Sequence, residues 1–212
     1  MAVHIRLATQ EDIPEIVDVS MAAFDPSTDA ISARLFPPHL QSTDSEAFKN
    51  WSVTRKSARL DLKNSVVMVA VDDALNGRIM GYAMWFSPIP EGSEEEEPLR
   101  PKVAFEGVDR DALMELRQIM EDDAHNSFGE TGSKDVWNLD SLGVDPQQQR
   151  RGIGKMLLNW GVQQANEQGK DCYLVATPSG LPLYEAAGFE TTRTVDIFGV
   201  PHVSMTMKHS TK

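Results

Sequence analysis

The chain has 212 residues, 41% hydrophobic and 25% charged, enough for one well-buried core and short for two. Its formal charge of −12, with no Lys/Arg cluster longer than Arg150-Arg151, argues against nucleic acid as the main partner, because phosphate backbones would be repelled. The lone Cys172 excludes an internal disulfide framework and fits a reducing compartment, and no stretch approaches the roughly 20 apolar residues of a membrane span.

Met1 to Thr9 lacks the continuous apolar core of a signal peptide, so a cytoplasmic location is expected, with the nucleus as alternative. Ile5-Arg6-Leu7 reads as a first strand, and Thr9 with Asp12 resembles a helix N-cap and its box partner. Ile13, Ile16, Val17 and Phe24 then recur at helical spacing. A second helix is expected before the Pro37-Pro38 break, and Ala47 to Leu62 reads as a third, with Trp51, Arg55 and Arg59 on neighbouring turns.

Val66 to Val71 is a continuous apolar run, the signature of a strand buried on both faces. Asn76-Gly77 signals a turn and Ile79 to Phe86 the returning strand. Pro88 to Pro101 is expected to be a loop, and its Glu94 to Glu97 run a solvated one. Asp111 to Ala124 reads as a helix, Val136 to Val144 as a strand and Gly152 to Gln168 as a helix. Asp171 to Thr177 reads as a strand, Leu181 to Ala187 as a short helix, and Thr192 to Phe198 with Val203 to Met207 as a final hairpin. Strands alternating with helices imply one α/β domain, with a mixed sheet covered on both faces. Cys172, inside a strand-like run, is expected to be a small buried hydrophobe.

The chemistry concentrates in Leu139 to Lys155. Pro146 stops a strand near Val144, a polar loop follows, and Gly152 and Gly154 open a helix whose Ile153, Met156, Leu157 and Trp160 form one apolar stripe. Strand end, glycine loop and helix start aim free backbone N–H groups and the positive helix end at one point, an arrangement that binds a diphosphate. A Walker loop requires Ser or Thr after Gly154-Lys155, where Met156 stands, and a Rossmann fingerprint requires three spaced glycines near the start of a βαβ unit, where only Gly152 and Gly154 are present, late in the chain. His4, His39, His125, His202 and His209 show no metal-ligand spacing with one another or with Cys172, so no metal is expected.

Gln149-Arg150-Arg151-Gly152-Ile153-Gly154, preceded by Leu142-Gly143-Val144 and followed by Leu183-Tyr184-Glu185-Ala186-Ala187-Gly188-Phe189, resembles the cofactor motifs of the GNAT superfamily of N-acetyltransferases. The resemblance is specific over 136–207, the expected cofactor half. It is coarse over 25–64 and 87–134, where acceptor specificity usually resides. It implies a single domain over 1–212, with a mostly antiparallel sheet splayed at the cofactor. Acetyl-CoA is the implied cosubstrate. The amides of Gln149, Arg150, Arg151, Gly152, Ile153, Gly154 and Lys155 would hold its diphosphate, with Arg150 or Arg151 near the adenosine phosphates. Leu142, Gly143 and Val144 would pair with the pantetheine arm, and Ser179 would lie beside it.

The resemblance also makes Tyr184 the candidate acid that protonates the departing thiolate. Where some relatives carry a Glu, this chain has Asn138, and Asp140, two residues on, is expected on the same face. Asp140 is then base, counter-ion of the amine or a satisfied structural group, and deprotonation of the amine through water is the further alternative. The implied activity is acetyl transfer to an amine acceptor by direct attack. The alternative is a non-catalytic acyl-CoA sensor of the same fold. Edge-strand pairing, common in this superfamily, leaves a homodimer open, and the net charge suits a cationic acceptor.

Overall fold

In the computed structural model, which describes residues 3–41, 46–90 and 107–210, seven strands form a single sheet. They are β1 (Val3–Leu7), β2 (Ser65–Asp72), β3 (Arg78–Phe86), β4 (Trp137–Val144), β5 (Cys172–Ala176), β6 (Glu190–Ile197) and β7 (Val200–Met207), in the order β1-β2-β3-β4-β5-β7-β6. Every neighbouring pair is antiparallel except β4 and β5, which run parallel. A parallel pair needs a crossover, and the helix α5 (Ile153–Glu167) supplies it.

β2 alternates strictly between two cores, which is why its sequence is apolar throughout. Val67, Val69 and Val71 face α1 (Ile13–Ala23), joining Ile13, Ile16 and Val17. Met68 and Ala70 face α5, joining Trp85, Leu157 and Leu158. A third cluster is built where α2 (Ala30–Leu35) and α3 (Glu46–Leu60) meet α4 (Arg110–Phe128), through Leu35, Phe36, Trp51, Ala112 and Leu113. The remaining helix, α6 (Leu181–Ala187), packs against the α5 side.

The expected elements are present, with a few differences. The Asn76-Gly77 turn carries an extra helical turn, Asp73–Leu75, and both Asn76 (φ 58°) and Gly77 (φ 75°) are left-handed. α4 runs past Ala124 because nothing stops it before Gly129, and its added Phe128 packs edge-on against Tyr173 at 5.2 Å. Of the expected Pro88 to Pro101 loop, the segment with Glu94 to Glu97 lies outside the described residues. The Thr9–Asp12 box is formed, with the Thr9 N–H donating to Asp12 at 2.7 Å and Arg6 gripping the same carboxylate at 2.7 and 2.8 Å. Cys172 is buried, and burial, then Asp171, pushes its thiol up to about 12.

Two details position the site. Gly161 of α5 lies against Trp85 of β3, so close that a Cβ there would fall 2.2 Å from the indole. On β4, Leu139 pairs with Trp85 and Ser141 with Met84, leaving Asp140 as the extra residue of a β-bulge. Leu139, Leu142 and Val144 therefore face α5, while the bulge turns Asp140 and Ser141 together toward α1 and α3.

Candidate active site

Pairing between the parallel strands ends at Leu139 with Leu174, although β4 continues to Val144 beside β3. Beyond that point the two strands part, and the wedge opens into a cavity of about 810 Å³, within the size of a small-molecule site. Leu142, Gly143 and Val144 line it from β4, and Val175, Thr177 and Ser179 from the β5 side.

The loop after β4 is fixed at its root by Asp145. Its N–H donates to Met80 O at 2.9 Å, and its carboxylate accepts from Gln147 N–H at 2.9 Å and Arg78 at 2.7 Å. Two left-handed residues follow, Arg150 (φ 63°) and Gly152 (φ 80°). Such a conformation is costly for an arginine, and strained residues of this kind cluster at functional sites. The first hydrogen bond of α5 runs from Met156 N–H to Gly152 O at 3.0 Å, leaving the N–H groups of Ile153, Gly154 and Lys155 without helical acceptors.

The two glycines serve different needs. A Cβ on Gly152 would meet nothing within 4 Å, so its role is the positive φ and open access. A Cβ on Gly154 would stand 3.3 Å from Leu183, so its role is close packing of the helix start on α6 and β4. Gln149, Arg150, Gly152, Ile153, Gly154 and Lys155 all line the cavity. Arg151 does not. Its guanidinium is turned to Asp72 at 3.0 Å and to Gln148, on the far side of the loop. Of the two adjacent arginines, the structure brings Arg150 to the cavity.

Tyr184 reaches the same cavity from α6 and packs edge-on against Phe189 at 6.1 Å. Among the described residues nothing hydrogen-bonds to its hydroxyl. Burial, then Tyr82, raises its pKa well above the usual phenol range, so it is a retained proton facing open space.

Asp140 is paired with Arg59 of α3. Burial works against its charge, but Arg59, Arg55 and Lys56 together hold its pKa below the usual carboxylate range. A carboxylate so placed accepts protons poorly.

Sequence reasoning overlooked Tyr82. This residue is fully buried on β3, and its hydroxyl joins Ser20 at 3.0 Å, Ser141 at 2.7 Å and Lys56 at 3.2 Å beneath the cavity. Lys56 also lies over its ring at 4.5 Å. A polar tip inside an apolar strand run was the available signal.

Residues 29–189 match the acetyltransferase (GNAT) family. The fold resembles several solved structures. One, from Corynebacterium glutamicum, is described as histone acetyltransferase HPA2 and related acetyltransferase, with 23% identity, 100% of this chain and 99% of that chain covered, and a TM-score of 0.61. A mosquito arylalkylamine N-acetyltransferase like 5b shares 15% identity over 98% and 100% of the chains, with a TM-score of 0.61. The Salmonella typhimurium yncA protein, solved with acetyl-CoA, shares 16% identity over 100% and 96%, with a TM-score of 0.55.

Proposed function

The chain belongs to the acetyltransferase (GNAT) family, and on that premise we propose that it moves the acetyl group of acetyl-CoA to an amine by direct attack within a ternary complex. The observation that carries this reading is the wedge between β4 and β5, with helix-start amides lacking helical acceptors at one end and, along its wall, a buried tyrosine hydroxyl with no hydrogen bond among the described residues. Solved relatives of the same fold contain acetyl-CoA or CoA.

The amides of Ile153 to Lys155, with Arg150 and Lys155, suit a diphosphate by charge and by hydrogen-bond direction. Unpaired β4 backbone beyond Leu139 offers the extended edge along which a pantetheine arm would lie, beside Ser179. The amine nitrogen bonds to the acetyl carbon as the C–S bond breaks. The Tyr184 hydroxyl gives its proton to the departing sulfur, and the amine proton leaves through water. Positioning and carbonyl polarisation supply most of the rate. Asp140 holds Arg59 in place instead of acting as the base.

The test is a thermal melt with increasing CoA or acetyl-CoA, joined to thiol release with a panel of amines. Stabilisation should grow with ligand concentration, as mass action requires, and Gly152→Glu should abolish it by placing a carboxylate among the phosphate-binding amides. No shift in the wild type would overturn the proposal. A shift without thiol release from any amine would instead favour a binding protein.

A further inference from the structure

The chain is strongly acidic, yet the cavity wall is not. Among the described residues six cationic side chains line it, Arg55, Lys56, Arg59, Arg117, Arg150 and Lys155, against three carboxylates, Asp29, Glu121 and Asp140. Arg150 and Lys155 stand at the glycine loop, suited to CoA phosphates. The others lie at the far end, around the bulge of β4.

There the charges are unequally compensated. Asp140 is taken by Arg59. Asp29 is occupied at the start of α2, where it accepts from Ser32 N–H at 2.7 Å. Glu121 lies one helical turn from Arg117, near enough in sequence to share its field, though no ion pair joins them among the described residues. Arg55 and Lys56 share the field of Asp140 but have no carboxylate in contact with them among the described residues. Lys56 is 8% exposed, and among the described residues its ammonium bonds to the Tyr82 hydroxyl and lies over the Tyr82 ring. Arg55 lies over the Trp51 ring at 5.4 Å and has no hydrogen bond or ion pair among the described residues. The charge of Arg59, then burial, pushes the Arg55 guanidinium down to about 9, so it stays cationic at neutral pH but under repulsion. Three cations, Arg55, Lys56 and Arg59, thus share the one carboxylate of Asp140, and a surplus of positive charge turned into a cavity is costly until an incoming anion relieves it. Phe24, Phe36 and Leu113 give this end an apolar wall beside the hydroxyls of Ser20, Ser52 and Ser141.

We propose that the acceptor is an amine that also carries a carboxylate and an apolar body, in the manner of an apolar amino acid, with Arg55 gripping the carboxylate in the field of Lys56. Arg55 suits this role because its planar fork matches a carboxylate and the Trp51 ring lies beneath it. The inference rests on the acetyl-transfer reading and reverses, locally, what net charge suggests about the acceptor.

The experiment compares matched acceptors on the full-length protein: phenylalanine, phenylalaninamide and phenethylamine, read by thiol release and by product mass. The carboxylate member should lead in kcat/KM by roughly 10- to 100-fold over both others, mostly through KM. Arg55→Gln should collapse that ratio toward one at an unchanged CoA melting shift, and Arg55→Lys should keep part of it. Should none of the three react, the CoA-loaded protein is melted with N-acetylphenylalanine or N-acetylphenethylamine. Only the former should add stability, and Arg55→Gln should remove it. Turnover or binding that ignores the carboxylate, or an Arg55→Gln variant with its preference intact, overturns the inference and leaves acetyl transfer standing. Absence of any CoA shift removes the acetyl-transfer reading and this one with it.

Discussion

Gly161→Ala offers a test in which local propensity and tertiary packing predict opposite signs. Gly161 sits inside α5, where alanine should gain about 1 kcal/mol from helix propensity. The new Cβ would fall 2.2, 2.4 and 2.6 Å from three atoms of the Trp85 indole, well inside the usual carbon contact of about 3.5 Å. Trp85 cannot yield easily, being fully buried and packed edge-on against Trp137 at 6.3 Å. Overpacking of this kind costs about 3 kcal/mol at the upper end of its usual range, so the net is about 2 kcal/mol of destabilisation. For a chain of this length that is a fall of about 4–8 °C in Tm. Because α5 begins at the turn proposed to hold the CoA diphosphate, a displaced helix should also weaken CoA binding. Thermal and urea melts measure the first effect and the CoA-induced shift the second. In the Trp85→Phe background the same substitution should cost much less, a coupling that a double-mutant cycle reads directly. A Gly161→Ala protein as stable as the wild type or more so would refute the packing argument.

Tyr184→Phe removes a proton donor but little contact area, so kcat should fall about 100-fold with acetyl-CoA binding nearly intact; an unchanged kcat would make Tyr184 a packing residue. Asp140→Asn should lower kcat less than about 10-fold at neutral pH, with a flat response to rising pH, since the Arg59 partner already suppresses its basicity. A large loss that recovers as pH rises would return Asp140 to the role of base. Asp12, held at about 2 chiefly by Arg6, and Asp171, driven to about 2 against its burial by Lys208 and His209, both have native pKa values below their unfolded ones. Their stabilisation should be complete above about pH 4 and disappear as pH falls toward 2, and a Tm flat across that window would contradict these pairings.

What could be read from the sequence was whatever local rules determine. The strands β2 and β3, the Thr9–Asp12 box and the glycine turn all carry period, capping or φ requirements within a few residues. The bulge at Asp140 has no such signature. It depends on how β3 and β4 align, and it decides that Asp140 and Ser141 share a face. Likewise nothing local separates Arg150 from Arg151; the distant Asp72 does, by drawing Arg151 away. The Arg55–Arg59 repeat was the clue passed over, because like charges one turn apart on an inward helix stripe violate a local rule, and such violations cluster at sites.

The contrast between a chain of net charge −12 and a cavity with more cations than carboxylates bears on how ligands arrive. A polyanion approaching from bulk first meets a repelling far field and only within about a Debye length, some 8 Å at physiological salt, does the cationic wall dominate. Added salt screens the distant repulsion before it weakens the sheltered contacts. Capture of CoA should therefore quicken between low and moderate ionic strength, the reverse of ordinary electrostatic steering, and slow only when the near contacts are themselves screened. Such a field also discriminates by charge placement: a compact anion passes the barrier at a cost set by its total charge, while retention depends on where that charge comes to rest.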